Sequence, residues 1–565
     1  MSFFKHKGVK WAKNQKKTLE IIEKNFFYFC NAYNSWKLFW SRYFFKSKSV
    51  LDSSHGSLIL AIFAWIIASV AVICIALALV EISSTKSDNL SLTSWNKTFN
   101  SRFVYNVSKD FNTYVCLPLV FFFIPLYSFI SLQDGLKFLT NKTGFGTNHD
   151  WVIWMFISLA LTVYLLTVPA LYSKVGDIQN IISLAIKLAP LIFITFLGFI
   201  LVGTNKGGAS EVSWLVQKHQ SYAELIKQGK GIQEFNHIGA GLGMFLAISS
   251  IFYAYDGFYV SAGIQSEMKE PSKTPMALFF GLSLTTLIYL IIAISMSING
   301  GSFTKIHAYS VNLMGLKATN IIFGIMNIFI AIGVLGIANG FAMWMPRYIE
   351  DLIVKGDLPF WEKLAPKVNP HKPVVGIIYS VTISVPFIVI FTLIGALGYI
   401  DTSNYGPVYD NTMAMAKLYS FADLMANWNA LGCFSLVALA IFGGIKNRKS
   451  NKVEIINKKK YFLPTAWISI TFVALAIFVS VLVPIINLFL LIGVDRSLIQ
   501  DTEFTQLLVG RLMLIIVLIL FISLTIIPTL ILNKIRAKKF GSLAKYYEYT
   551  KSKIKLLKLN SNTIK

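Results

Sequence analysis

The sequence predicts an all-α membrane protein that crosses the bilayer with twelve helices. Of the 565 residues, 55% are hydrophobic and only 14% are charged. The mean hydropathy of +0.60 is far above the value expected for a soluble multidomain protein. Apolar runs also recur along the chain at the length of about 20 residues that a spanning helix needs. Together these observations exclude an ordinary soluble fold.

Eleven apolar runs are predicted to form spanning helices, and a weaker twelfth run at residues 25–45 precedes them. The eleven runs are residues 57–82, 114–132, 151–172, 178–202, 238–264, 277–298, 320–345, 374–399, 412–442, 462–493 and 507–532.

The distribution of Lys and Arg predicts the orientation, because cytoplasmic loops carry an excess of these residues. The loop at residues 400–411 has neither Lys nor Arg and is predicted to lie outside. The segments predicted to lie inside are residues 1–24, 347–372, 446–460 and 534–565. The predicted inside and outside segments alternate along the chain only if residues 25–45 also cross the membrane. The sequence therefore predicts a plasma-membrane protein with a transmembrane domain at 25–533 and two basic cytoplasmic tails. The C-terminal tail is expected either as an amphipathic helix on the inner leaflet or as a plain cytosolic segment.

Several function classes are disfavoured by what the sequence lacks. The net charge of +25 lies between and beyond apolar runs, so we expect no nucleic acid partner. No GxxxxGK[ST] pattern is present, which argues against a built-in ATPase. No nucleophile, base and orienting group are predicted to meet, so we do not expect an enzyme. The cysteines lack paired spacing and are expected to be small buried residues rather than a disulfide or metal site: Cys30, Cys74, Cys116 and Cys433.

The segment 251–275, IFYAYDGFYVSAGIQSEMKEPSKTP, places Asp256 and Gly257 inside an apolar helix. A carboxylate near the bilayer centre costs roughly 2.5–3.5 kcal/mol on insertion scales, and such residues usually face a cavity or a partner. Freed backbone groups at a helix break could hold a substrate, with surrounding aromatic rings as walls. The alternative is that the rings are ordinary packing and that Asp256 caps a local kink.

Lys187 is predicted to lie ~14 Å into its helix, close to the midplane of a ~30 Å core. Desolvation lowers the pKa of a buried lysine, which would suit a proton carrier. Alternatively, its ammonium is a fixed charge in the place of a bound cation, or it pairs permanently with a carboxylate such as Asp256.

Other polar residues in apolar runs carry weaker signals. Asn327 and Asn339 are expected to form hydrogen bonds between helices. Asp423, Asn427 and Asn429 lie in SFADLMANWNALG, which is polar enough to be interpreted as a water-facing stretch.

Four segments together resemble permeases of the amino acid/polyamine/organocation (APC) superfamily. YAYDGFYVSAGIQSEMKEPSKTPMA is similar to the sixth helix and its following loop, and GDIQNIISLAIKLAPLIFITFLG to the fifth helix. ANGFAMWMPRYIEDLIVKGDLPFW is similar to the eighth helix, and AIFAWIIASVAVICIALALVEIS to the second. These matches cover roughly residues 57–375.

The resemblance implies a secondary amino acid transporter with two inverted five-helix repeats, at about 25–202 and 238–442, plus two helices at 462–533. Discontinuous first and sixth helices would hold the substrate. The residues implied in the sixth helix are Phe252, Tyr253, Ala254, Tyr255, Asp256 and Gly257. Lys187 matches a position where some proton-coupled members carry a lysine in place of a sodium ion, so the resemblance implies proton coupling.

The first helix departs from the family pattern. Where the family has a G-x-G stretch whose amides bind a carboxylate, this chain has Trp40, Ser41 and Arg42. Tryptophan cannot give a ligand the backbone access that glycine gives. Ser41 and Arg42 are therefore candidate substrate contacts, with the Arg42 side chain replacing the amides. The alternative is that Lys37 and Arg42 anchor the helix at the interface.

Two functions follow as expectations. The leading one is a proton-coupled amino acid permease that needs no cofactor beyond the proton gradient, with the lipid bilayer and an amino acid as its partners. The alternative is a non-transporting protein of the same fold, a sensor or assembly partner. Aromatic walls weakly favour an apolar substrate, and a basic one is not excluded because Asp256 could receive it.

Overall fold

The computed structural model describes residues 46–54, 56–85, 90–208, 240–257, 274–369, 372–400, 405, 409–455, 458–494, 497 and 500–563. Throughout these residues the regular secondary structure is helical, with no strand. The helices of the first half are α1 (Ser47–Ser53), α2 (Leu58–Ile82), α3 (Leu92–Phe99), α4 (Arg102–Phe111), α5 (Leu117–Thr140), α6 (Asp150–Leu171), α7 (Ser173–Gly203) and α8 (Ala240–Tyr255).

The second half continues the helical bundle. Its helices are α9 (Thr274–Ile298), α10 (Phe303–Met314), α11 (Leu316–Val354), α12 (Trp361–Leu364), α13 (Val374–Leu393), α14 (Ala414–Ser450), α15 (Phe462–Leu490), α16 (Asp501–Phe540) and α17 (Leu543–Thr563). Two π-helical turns also occur: Asn112–Cys116 joins α4 to α5, and Ile394–Gly398 extends α13.

Ten helical segments within the described residues are long and apolar enough to cross a membrane. They correspond to ten of the eleven strongly predicted runs, which confirms a multi-pass membrane protein. Of the eleventh run, predicted at 238–264, the described residues contain the helix α8 at Ala240–Tyr255, followed by Asp256 and Gly257; residues 258–264 lie outside the described part. The weaker predicted helix at 25–45 lies outside the described residues.

The third membrane-spanning segment begins earlier than predicted. We expected it to start at residue 114, whereas the helix runs from Arg102 through α4 and the π-helical turn to Thr140. The sequence boundary was placed too late because Arg102, Lys109 and Asp110 resemble loop residues. In the structure Lys109 pairs with Asp110 at 2.9 Å, and Arg102 pairs with Asp357 at 2.9 Å. Because each of these charges has a partner of opposite sign, the helix can continue through them.

Asp357 connects several elements at one end of the bundle. It lies between α11 and α12 and is only 3% exposed. Its carboxylate accepts hydrogen bonds from Arg102 at 2.9 Å and from the Tyr105 hydroxyl at 2.5 Å. Its backbone carbonyl accepts from Lys109 at 3.1 Å and from Arg536 at 3.3 Å. This one residue therefore ties α4 to the end of α16.

A second buried carboxylate, at the end of α2, binds α14 and the segment that follows it. Glu81 binds the Arg448 guanidinium through both carboxylate oxygens, at 2.8 and 2.6 Å. The backbone N–H of Lys459 donates to Glu81 at 2.7 Å. Bidentate pairing of this kind is stronger and more directional than a single contact.

The C-terminal helix α17 docks on the protein at the same end as Asp357. The Tyr546 hydroxyl donates to the carbonyl of Gly356 at 3.1 Å and accepts from the Trp361 indole N–H at 3.1 Å. Lys553 reaches Glu362 at 3.2 Å, and hydrogen bonds to Tyr549 and Glu362 raise the pKa of Lys553. The sequence favoured either a leaflet helix or a plain tail. The structure gives a helix that packs on the segment after α11.

Close helix packing at Gly376 yields a stability prediction. A Cβ added to Gly376, at the start of α13, would lie 2.0 Å from the Pro346 carbonyl oxygen of α11. Backbone atoms cannot yield as a flexible side chain can, so we expect Gly376→Ala to destabilise the protein by about 1–3 kcal/mol. Thermal unfolding in detergent would show a lower Tm. Gly203→Ala is the control, because nothing lies within 4 Å of its added Cβ. Equal Tm values for the two variants would contradict this packing.

Tyr546→Phe tests the docking of α17. The variant keeps the ring but loses both hydrogen bonds, each worth about 0.5–1.5 kcal/mol. We expect faster proteolysis and faster amide exchange within α17, with the bundle unaffected. Glu548→Gln, on the exposed side of the same helix, should match the wild type. Unchanged exchange in Tyr546→Phe would show that these bonds do not hold α17.

Candidate functional site

The helix α8 ends directly before Asp256 and Gly257. The last helical residue is Tyr255, and the Asp256 N–H turns back to the Tyr253 carbonyl at 3.2 Å. Gly257 adopts φ +102°, which side chains with a Cβ rarely tolerate. Asp256 is fully buried. The structure therefore shows a helix terminus at a buried carboxylate; residues 258–273 lie outside the described part.

The aromatic residues before this terminus point to different neighbours. Phe252 stacks on Phe434 of α14 with ring centroids 4.7 Å apart. The Tyr255 hydroxyl lies 3.3 Å from the Ser69 hydroxyl of α2, and its ring packs against Tyr289 of α9. The Ala254 carbonyl accepts from the Tyr289 hydroxyl at 3.3 Å. Phe252 and Tyr255 thus fasten α8 to its surrounding helices.

Tyr253 instead faces a buried ion pair. Its ring stacks on Tyr127 of α5, with centroids 5.8 Å apart and planes tilted by 30°. The Lys46 ammonium lies 4.8 Å from the centroid of the Tyr253 ring, within cation–π range. Tyr253, one of the aromatic residues proposed to line a substrate site, therefore contacts this cation.

The ion pair itself joins Lys46, immediately before α1, to Asp423 of α14. The Lys46 Nζ lies 2.6 Å from Asp423 Oδ1, and the Tyr127 hydroxyl donates to the same oxygen at 2.5 Å. Lys46 is 0% exposed and Asp423 is 6% exposed. Three separate membrane elements, α5, α8 and α14, therefore meet the start of α1 at one pair of opposite charges.

Burying two charges is expensive, and their attraction repays this cost only when further hydrogen bonds are made. Here Tyr127 supplies a hydrogen bond to the anion, and the Tyr253 ring supplies a polarisable face to the cation. Apolar residues of similar size would often serve stability equally well. Intramembrane ionisable groups in such a setting typically mark a functional site.

The location of Asp423 corrects one sequence interpretation. The segment around Asp423, Asn427 and Asn429 was interpreted as water-facing, yet Asp423 and Asn429 are buried inside α14. Neither polar side-chain atom of Asn429 has a hydrogen-bond partner among the described residues. The interpretation was wrong because a polar stretch facing the protein interior has the same composition as one facing water. Lys46 was not predicted as a site residue, because it ends a run of basic and aromatic residues.

The candidate residues of the first helix are only partly located. Ser41 and Arg42 lie outside the described residues. Lys46 follows Arg42 by four positions in the sequence and lies at the ion pair. Within the described chain, the Lys46 cation at the start of α1 therefore lies close to α8 through the Tyr253 ring.

Lys187 is buried near the middle of α7 and is 2% exposed. Its helix packs mainly on α11 and α9. Asn339 of α11 donates to the Gly176 carbonyl and to Asn180 Oδ1 of α7, both at 2.8 Å, so the predicted interhelical role of Asn339 is confirmed. Asn327 differs, because it donates to Phe323 within its own helix.

The described cysteines form no disulfide. Cys74, Cys116 and Cys433 are free and buried, and the Sγ atoms of Cys116 and Cys433 lie 3.7 Å apart. No group of His, Cys, Asp and Glu within the described ranges could hold a metal ion.

Comparison with known proteins identifies the family. A family model described as amino acid permease matches residues 26–493, so the chain belongs to the amino acid permease family of the APC superfamily. Members of this family are transporters and not enzymes.

Three relatives illustrate the range of similarity. An uncharacterized protein of Mycoplasma pneumoniae is 49% identical over 527 residues, covering 90% of this chain and 93% of the relative. Another from the same organism is 32% identical over 213 residues, covering 37% of this chain and 77% of the relative. The serine/threonine exchanger SteT of Bacillus subtilis is 24% identical over 337 residues, covering 57% of this chain and 66% of the relative.

The ion pair predicts a non-additive response to mutation. Asp423→Asn removes the carboxylate that lies 2.6 Å from the buried Lys46 ammonium, and removing one partner of a buried pair costs about 3–5 kcal/mol. Lys46→Gln in the same background removes the other charge of the pair, so the double variant should unfold at a higher temperature than Asp423→Asn alone. A double-mutant cycle of detergent Tm values measures this coupling. Additive effects would show that the two charges do not interact.

Proposed function

We propose that this protein is a secondary active transporter that moves amino acids across the plasma membrane by alternating access, driven by the proton gradient. The observation that carries the proposal is the end of α8 at Asp256 and Gly257, fully buried and close to the Lys46–Asp423 pair through Tyr253. Transporters commonly place their substrate at such interrupted helices, where backbone groups are freed. Membership of the amino acid permease family supports amino acids as the substrate class.

The proposed topology has twelve spanning helices. Two inverted five-helix repeats would occupy residues 25–202 and 238–442, with two further helices at 462–533. The tails at 1–24 and 534–565 would lie in the cytoplasm. The packing of the described residues supports this topology. One end of the bundle holds α3, α4 and α17 together with Asp357 and Arg448, and these two residues and α17 come from segments rich in Lys and Arg. Asp134, Asp150 and Tyr409 lie together at the other end, beside the loop that lacks basic residues.

Lys187 is the proposed proton-coupling residue. It is buried in the middle of α7 and only 2% exposed, and intramembrane ionisable residues usually serve a function. Loading and release of one proton there would change the charge of the membrane interior by one unit. Such a change can bias two conformations that bury the residue differently. No cofactor is required by this scheme.

The proposal is tested by uptake of labelled amino acids into proteoliposomes, with and without an inward proton gradient. Serine and threonine belong in the first pool, because the Bacillus relative is named for their exchange. We expect accumulation that depends on the gradient. No uptake of any amino acid by demonstrably folded protein would overturn the proposal and favour the non-transporting alternative.

Lys187→Ala tests the coupling claim separately. We expect the variant to lose uphill accumulation while still exchanging substrate across the membrane, because substrate contacts and proton loading reside on different helices. Lys174→Ala, an exposed lysine on the same helix, should behave as the wild type. Intact gradient-driven accumulation in Lys187→Ala would refute the coupling role.

A further inference from the structure

The Lys46–Asp423 pair carries one positive and one negative charge within a buried, aromatic setting. Its two charged groups come from separate elements, α14 and the residue preceding α1, so they can move apart as those elements move. Separating them breaks a buried ion pair with a 2.6 Å contact, which is unfavourable unless other groups replace that contact. A molecule that offers each group a new counter-charge would offset the loss of this contact.

A free amino acid offers both counter-charges at once. Its α-carboxylate can replace Asp423 beside the Lys46 ammonium, and its α-ammonium can replace Lys46 beside the Asp423 carboxylate. The exchange conserves the net charge of the site, provided that the substrate side chain is uncharged. A basic or acidic side chain would add one unit of charge to be compensated elsewhere.

We propose that Lys46 and Asp423 form a two-point site for the charged groups of zwitterionic amino acids with uncharged side chains, and that the two residues close on each other when no substrate is bound. This inference rests on the proposed transport function and names the substrate class of that site. Lys46 supplies the positive charge of this site through its side chain.

The two tyrosines complete the site. Tyr127 keeps its hydrogen bond to Asp423 Oδ1 and so fixes the carboxylate as Lys46 withdraws. Tyr253 presents its ring face 4.8 Å from the present position of the Lys46 ammonium. A substrate ammonium in that position makes the same cation–π contact. Tyr253 also lies three residues before Asp256, which connects occupancy of the site to the end of α8.

The substrate panel tests the inference on the wild-type protein. Uptake into proteoliposomes is compared for labelled amino acids of every charge class. Uptake of each uncharged substrate is then measured with its carboxamide or its deaminated acid added as a competitor. We expect uncharged amino acids to be preferred and both analogues to compete roughly a hundredfold less well, because each leaves one buried charge unpaired. A preference for Arg, Lys, Asp or Glu, or equal competition by either analogue, would overturn the inference. No uptake at all would instead overturn the proposed function.

Variants test which residues are responsible. Lys46→Gln and Asp423→Asn should each raise KM by roughly a hundredfold. The double variant, Lys46→Gln with Asp423→Asn, removes both charges, which controls for instability caused by a stranded charge. Its folding is verified by its chromatographic profile and Tm, and it should also fail to transport at wild-type substrate concentrations. Asp134→Asn removes another carboxylate that accepts from a tyrosine hydroxyl, here Tyr409 at 3.1 Å, and should leave KM unchanged.

A folded double variant with wild-type KM would show that the pair is a structural tether. In that case the inference fails while the proposed transport function stands.

Discussion

Buried ion pairs between residues distant in sequence hold this structure together. In hydrocarbon, water is not available to solvate an ion, so each intramembrane charge needs a partner of opposite sign and further hydrogen bonds. Glu81 meets this requirement through a bidentate arginine, and Asp357 through an arginine and a tyrosine. Both join helix ends that the sequence separates widely. Lys46 and Asp423 follow the same rule, with a tyrosine completing the anion's contacts.

The location of these pairs separates their roles. Asp357 and Glu81 lie near helix ends. Asp357 joins α4 to the end of α16, and α17 docks beside it. Glu81 binds α14 and the basic segment that follows it. Lys46 and Asp423 lie instead beside Tyr253, near the end of α8. A pair that joins helix ends can be permanent. The Lys46–Asp423 pair is the one proposed to open when a ligand replaces both partners, which connects the electrostatics of the bundle to its proposed transport cycle.

The sequence predicted the spanning helices well because hydrophobic length is a local property. The start at Arg102 was missed, since a charged residue looks like a loop until its partner Asp357 is seen. Asp423 was misinterpreted for the same reason: burial and water contact give the same local composition. The helix end at Asp256 and Gly257 was visible because it combines a charge and a glycine within one apolar run. Contacts between residues 377 positions apart, such as Lys46 with Asp423, have no local signal.

A structure determined with a bound uncharged amino acid would test the central claim most directly. The account predicts that the ligand carboxylate contacts Lys46 and its ammonium contacts Asp423, with the Nζ to Oδ1 distance opened well beyond its present 2.6 Å. A ligand bound elsewhere while this pair remains closed would contradict the account.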